Sequence, residues 1–231
     1  MCNRTGTLYG VSVGPGDPEL MTIKAQKILE RCRTLAVPTT QKGHAVALDI
    51  VSQTMDVSAK ELLILPFPMT TDEETLRQNY SAQSERVAQV LSCGEDVAFI
   101  CLGDVSIYST FAYIGGILIE KGFSVVMIPG VPSFCASACA LGVSLTTANQ
   151  PLHILPAGYG NLDNTLSLSG TKVLMKPASQ FPDVHRAVLS SGQSACAAVD
   201  CGLTSECLYH DISDMPEEPG YFTTIIVRED Q

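Results

Sequence analysis

The sequence predicts an α/β protein of two units, the first built on a mostly parallel sheet and the second on a sheet of mixed strand direction. Two observations carry that expectation. Between residues 7 and 141, short apolar runs rich in β-formers alternate with amphipathic helical stretches, the pattern of a parallel sheet covered on both faces. After Leu145 the texture changes to the polar, proline-bearing TTANQP and a shorter alternation follows, so domains are expected at 1–146 and 147–231.

The elements follow in order. Thr7 to Val13 (TLYGVSV) reads as a buried strand that ends in the loop GPGDP. Thr22 is placed to cap a helix over IKAQKILERC, where apolar residues recur at helical spacing. LAVP at 35–38, LLIL at 62–65, DVAFICL at 96–102 and SVVMI at 124–128 are the next strands. Helices are expected near 45–54, 72–91, 110–121 and 133–141. In the second half, LHILPA, TKVLMKP, ACAAVDC and YFTTIIV read as strands, with helices near 161–168 and 179–190. MPEEPG at 215–220 reads as an acidic, solvated turn.

Composition limits what such a chain can do. Its 231 residues are 45% hydrophobic and 16% charged, long enough to bury roughly 70% of the unfolded surface, which excludes a disordered chain. The net charge of −10, with no cluster of Lys or Arg, excludes nucleic acid and anionic membranes as partners. No apolar stretch approaches the ~18 residues that span a bilayer, and the opening MCNRTGTLYGVSVG lacks the apolar core of a leader, so a cytoplasmic protein is expected. Nine cysteines, most of them inside apolar runs, read as reduced thiols that pack as small core residues. Their spacing does not make the two short pairs of a structural zinc site, and His153, His185 and His210 show no metal spacing; no metal is expected.

Three segments are candidates for chemistry. GVSVGPGDPELMT (10–22) is a glycine- and proline-stiffened turn at a strand's C-terminal end, either a plain structural turn or a ligand loop. Its glycines do not fit GxGxxG, and GxxxxGK[ST] is absent, so neither a dinucleotide fingerprint nor a P-loop is present. FICLGDVSIYST (99–110) runs from an apolar strand into Gly103 and Asp104, a carboxylate placed to accept a hydrogen bond. VVMIPGVPSFCASACALGVSLTT (125–147) ends a strand in Pro-Gly and continues into a helix of small residues, which serve close packing or the approach of a flat ligand. Three successive strand ends with glycine loops would line one sheet edge, and that edge is the expected ligand site.

On GVSVGPGDPELMTIKA, LGDVSIYST and IPGVPSFCASACALGVSLT, the chain resembles the tetrapyrrole (corrin/porphyrin) methyltransferase family over nearly its whole length. LGDVSIYST, with Val105 where many relatives carry proline after the GD pair, is most similar to the branch that methylates carbon 20 of precorrin-2 or its cobalt complex in cobalamin biosynthesis. The resemblance implies a homodimeric two-domain α/β enzyme that binds S-adenosylmethionine in a cleft between the domains and releases S-adenosylhomocysteine. It further implies cofactor contacts at Pro15, Leu102, Gly103, Asp104, Ile107, Pro132, Ser133 and Met175, with weaker matches at Gly202 and Thr224. Pro132 stands where many relatives have a small residue or threonine.

The chemistry of such an enzyme is alignment of methyl, sulfur and carbon, which contributes up to ~7 to 11 kcal/mol when near-attack geometry is held. Removal of the proton from the methylated carbon assigns Asp104 or Tyr108 as the assisting catalytic group. A polycarboxylate substrate gains nothing from a chain of net charge −10, so local donors must hold it. The candidates are Lys42 and His44 in PTTQKGHA, with Arg77 and Tyr80 on the long helix. Two other readings stay open: methylation at another tetrapyrrole position, and a non-catalytic tetrapyrrole- or nucleotide-binding module.

Overall fold

The computed structural model describes residues 5–40, 43–157 and 160–229. Contacts divide the chain into two compact units, 1–132 and 133–231.

In the first unit, β1 (Thr7–Ser12), β2 (Thr34–Thr39), β3 (Glu61–Pro66), β4 (Val97–Cys101) and β5 (Ser124–Ile128) form one sheet in the order β3-β2-β4-β1-β5, with every pairing parallel. Helices α1 (Ile23–Arg31) and α2 (Val46–Thr54) cover one face, and α3 (Glu73–Ser92) and α4 (Phe111–Glu120) the other. Side chains of β4 alternate between the two cores. Val97, Phe99 and Cys101 join Val87, Leu91, Phe111 and Ile114 on the α3/α4 face, while Ala98 and Ile100 join Leu29, Ile50 and Val51 on the other. This central strand is buried on both sides, which is why it reads as an unbroken apolar run rather than an alternating one. Gly10 fits the same logic, since a Cβ there would stand 2.5 Å from the Phe111 ring.

Local chemistry sets the helix ends. The Thr22 hydroxyl caps α1 by accepting from the Ala25 N–H at 3.2 Å, as its position in the sequence predicts. The Asp72 carboxylate does the same for α3 from Thr75 at 2.8 Å. At the other end of α1, the Lys60 ammonium donates to the carbonyls of Leu29, Glu30 and Cys32, closing the C-terminal dipole.

The second unit opens with α5 (Ser133–Ala140), followed by β6 (Leu152–Pro156), α6 (Leu162–Leu166), β7 (Thr171–Met175), α7 (Phe181–Ser191), β8 (Ser194–Val199), β9 (Cys207–Tyr209) and β10 (Thr223–Arg228). The sheet order is β6-β7-β10-β8-β9. The β6/β7 pair is parallel, and β10 runs antiparallel to β7 and β8, so the sheet is mixed as expected. Here Lys172 is fully buried in β7, and its ammonium is satisfied by the Leu168 carbonyl at 3.1 Å and the Gln193 amide oxygen at 2.5 Å.

Two details depart from the sequence expectation. The division between units falls at 132/133 rather than 146/147, because α5 packs against β8 and β10 of the second sheet; the polar TTANQP segment lies inside that unit. The three-residue β9 is an additional edge strand, too short to show a period. Of the cysteines described, Cys32, Cys101, Cys196 and Cys201 are buried, Cys135 is half-buried and Cys93, Cys139 and Cys207 are exposed, all as free thiols. Burial pushes the Cys101 thiol up to about 12, the behaviour of a core residue rather than a nucleophile.

Candidate functional site

In the first sheet, β1 and β2 are followed by α1 and α2 on one face, whereas β4, lying between them, is followed by α4 on the opposite face. Connections that part to opposite faces leave a crevice at the C-terminal strand ends, the usual ligand position in open α/β sheets. The glycine loops of the sequence lie at this edge. Gly14 and Gly103, both with φ in the left-handed region, form a bridge in which the Gly103 N–H donates to the Gly14 carbonyl at 2.7 Å.

Two buried polar side chains then tie the loops after β4 and β5 together. Asp104, 8% exposed, accepts from the Ser106 N–H at 2.8 Å and the Ser106 hydroxyl at 2.5 Å through Oδ1, and from the Gly130 N–H at 2.7 Å through Oδ2. Burial by itself raises the pKa of this carboxyl. The hydrogen bonds from Gly130 and Ser106 outweigh it and hold the group below the ordinary aspartate range. Ser12, fully buried at the end of β1, donates to the Ile128 carbonyl at 2.7 Å and accepts from the Val105 N–H at 2.8 Å. Gly130 is held to glycine by the same contact, since a Cβ there would lie 2.4 Å from the Ser12 Cβ and 3.2 Å from the Gly103 carbonyl oxygen.

The sequence-predicted residues divide by location. Pro15, Leu102, Gly103, Asp104 and Ile107 lie together on the loops after β1 and β4, with Pro15 buried and Leu102 and Ile107 half-buried. Tyr108 closes the β4 loop at φ 45, left-handed backbone that side chains other than glycine rarely adopt, and is 46% exposed. Pro132 ends the loop after β5. Ser133 begins α5 in the second unit, and Met175, 6% exposed, is the last residue of β7 opposite Thr224. Gly202, also in the second unit, has left-handed backbone and donates its N–H to Glu206.

His44 is exposed in the loop after β2, and Lys42 lies outside the described residues. Arg77 is exposed on the first half of α3 and paired with Glu74. Tyr80 is half-buried one turn further on. The part Ser12 plays in tying the loops is not legible in the sequence, whereas Gly130 belongs to the Pro-Gly strand end singled out there. The signal for Ser12 is a lone small polar residue within an apolar strand. A cavity of about 270 Å³ in the second unit, lined by Ser144, Thr146, Gln150, Thr171, Ser194 and Arg228, opens at the strand ends away from Met175 and contains none of these residues. Among the described residues, no group of three or more potential metal ligands gathers, and no helix is long and apolar enough to cross a membrane.

The sequence profile of the tetrapyrrole (corrin/porphyrin) methylases matches residues 7–211. The chain belongs to the tetrapyrrole methylase family. Among the relatives of this methylase, the probable cobalt-precorrin-2 C(20)-methyltransferase of Methanocaldococcus jannaschii is 36% identical over 170 residues, covering 73% of this chain and 71% of that protein. The cobalt-precorrin-2 C(20)-methyltransferase of Salmonella typhimurium is 29% identical over 97% of both chains. Among solved structures, the uroporphyrin III C-methyl transferase of Thermus thermophilus superposes in its native form with a TM-score of 0.74 at 19% identity, covering 97% of this chain and 98% of that one. Its complex with S-adenosyl homocysteine superposes with a TM-score of 0.68 at 18% identity and the same coverage. At that identity the likeness shows the tetrapyrrole methylase fold.

Proposed function

We propose that this methylase transfers a methyl group from S-adenosylmethionine to carbon 20 of precorrin-2 or of its cobalt complex, a step of corrin-ring biosynthesis. The observation that carries the reading is a relative named for that activity and matched over 97% of both chains. The complexed Thermus relative supports the choice of cofactor.

The strand-end loops of the first unit fit such a cofactor. At Gly130 a Cβ would crowd Ser12 and the Gly103 carbonyl, so backbone rather than side chain lies against that part of the loops. The proposed contacts Pro15, Leu102, Gly103, Ile107 and Pro132 carry no cationic side chain. A cationic ligand would therefore meet carbonyl oxygens and apolar surface instead of like charge. When bound, S-adenosylmethionine supplies an already activated methyl sulfonium, so the demand on the protein is alignment, worth up to ~7 to 11 kcal/mol.

The residues of the loops are arranged for that demand. Ser12 and Asp104 hold the 103–106 and 128–130 segments in one geometry through four short hydrogen bonds to backbone and one to the Ser106 hydroxyl. Both Asp104 oxygens are occupied and the carboxyl is held acidic, so its part is to position backbone rather than to take a proton. Tyr108 remains as the titratable side chain of the loop proposed to touch substrate. On the substrate side, Arg77 is paired with Glu74 in an exposed ion pair, of the kind that contributes ~0 to 1 kcal/mol and yields to a competing carboxylate.

The test is incubation with labelled S-adenosylmethionine and either reduced precorrin-2 or its cobalt complex. The expected result is a mass gain of one methyl, located at carbon 20 by NMR. Cofactor binding without product on either ring would overturn the reading, and so would a methyl on another carbon. Relative turnover with and without cobalt identifies the physiological ring.

A further inference from the structure

We propose that Tyr113, backed by Tyr80, positions the substrate by offering its ring to the face of the tetrapyrrole macrocycle. The inference rests on the tetrapyrrole reading above and names a contact within it.

The two rings are stacked, with centroids 4.6 Å apart and planes 6° from parallel. Tyr113 is nevertheless 58% exposed, so it has one face against Tyr80 and keeps much of its remaining surface in water. Both residues stand at the sheet edge that carries the glycine loops. Tyr113 is the third residue of α4, which follows the Asp104–Tyr108 loop directly. Its neighbour in the stack is held at the same level, because Asn79 donates its side-chain amide to the carbonyl of Pro66, the last residue of β3.

The stack has a rigid backing. Tyr80 leans on Phe67 at 6.1 Å, Phe67 on Phe99 at 6.4 Å and Phe99 on Phe111 at 5.5 Å, with Phe99 and Phe111 in the core. A surface held this way loses little conformational freedom when a ligand arrives. One helical turn on from Tyr113 stands Gly116, where a Cβ would meet nothing within 4 Å. A glycine inside a helix is unfavourable relative to alanine, and among the described residues no contact within 4 Å of that Cβ position accounts for this one. It leaves open space beside the tyrosine ring.

The chemistry that suits this surface is a broad conjugated ring with acidic groups at its rim. A tyrosine ring supplies apolar area and a π-face for such a macrocycle. In a chain of net charge −10, an uncharged contact recognises a polyanion without adding to the repulsion.

The experiment measures KM and kcat for the tetrapyrrole, and S-adenosylhomocysteine affinity by calorimetry, in the native protein and in Tyr113→Ala, Tyr113→Leu and Tyr113→Phe. Absence of turnover by the native protein overturns the function reading and is distinguishable from every outcome at Tyr113. With turnover established, Tyr113→Ala is expected to raise KM for the tetrapyrrole roughly tenfold, with kcat and S-adenosylhomocysteine affinity within about twofold. Tyr113→Phe is expected to stay within about twofold on all three, since it keeps the ring. Tyr113→Leu shifts KM in the same direction severalfold, and carries the test if the alanine variant does not fold. An unchanged KM in the alanine and leucine variants overturns the proposal. A loss of S-adenosylhomocysteine affinity in step with KM does the same, because it marks general damage, and a phenylalanine variant as weak as alanine rules out the ring contact.

Discussion

The C-terminal edge of the first sheet has two halves built on different terms. Over β1, β4 and β5 the loops are tied to one another by buried side chains, Ser12 and Asp104, and by the Gly14–Gly103 bridge. Over β2 and β3 the loops are held more locally, by the Gly43 N–H on the Thr40 carbonyl, the Thr40 N–H on the His44 carbonyl and the Asn79 amide on Pro66. Their charged and polar groups, among them His44 and Arg77, are exposed. The difference matches the two ligands proposed. A small cofactor aligned for methyl transfer demands fixed backbone, whereas the rim of a large flexible acid is met by side chains that can adjust.

The tied half is the one to break first. Gly130→Ala drives a Cβ to 2.4 Å from that of Ser12 and is expected to destabilise the protein by about 2 to 3 kcal/mol, with a further loss of S-adenosylhomocysteine affinity. Chemical denaturation and calorimetry read both effects. Ser12→Gly removes the opposing Cβ but also the hydroxyl that joins the Ile128 carbonyl to the Val105 N–H, so it is destabilising by itself. In a double-mutant cycle the pair should cost less than the sum of the two single changes, and strict additivity would mean that the Gly103 carbonyl is the main obstacle.

Next is Asp104→Asn, which cannot accept from Ser106 and Gly130 as the carboxylate does and should cost about 1 to 3 kcal/mol. The native aspartate is held below its ordinary pKa, so it binds protons less readily folded than unfolded. Its contribution is therefore fully present above the unfolded value of about 3.9 and is lost as pH falls through the lower folded value. Denaturation midpoints between pH 6 and pH 3 should fall in the native protein and fall less steeply in Asp104→Asn. Parallel slopes would show that other carboxylates govern the acid limb.

The smallest effect on the fold is expected in the open half. Arg77→Gln removes one member of an exposed pair and should change stability by less than about 0.5 kcal/mol. It is expected to raise the tetrapyrrole KM severalfold without changing cofactor affinity. If Arg77→Gln instead lost cofactor affinity, the division of labour between the halves would be wrong.

Much of the fold could be read in advance because its parallel strands are buried on both faces and announce themselves as apolar runs, as in VAFIC of β4. The helix starts at Thr22 and Asp72 are written in local capping chemistry. The glycine loops could be placed at strand ends for the same local reason. What Asp104 does could not be read that way. Its role depends on the Gly130 N–H, 26 residues away, and an aspartate after a strand looks the same whether its oxygens are open or filled. Ser12 needed partners still more distant in the chain. The unit boundary also escaped, because a polar segment marks only where the chain changes texture, while α5 is assigned by what it packs against.

The sequence alone thus determined the order of the strands and helices other than the short β9, the presence of two α/β units, the glycine-lined edge and the family, since each depends on short-range pattern or on motifs that stay contiguous. Tertiary structure decided which face each helix takes, where the crevice opens, that Asp104 and Ser12 hold backbone, and that Tyr80 and Tyr113 stack. Those are facts of pairing between distant residues, and a pairing enters the chain's pattern only as two residues of permitted type.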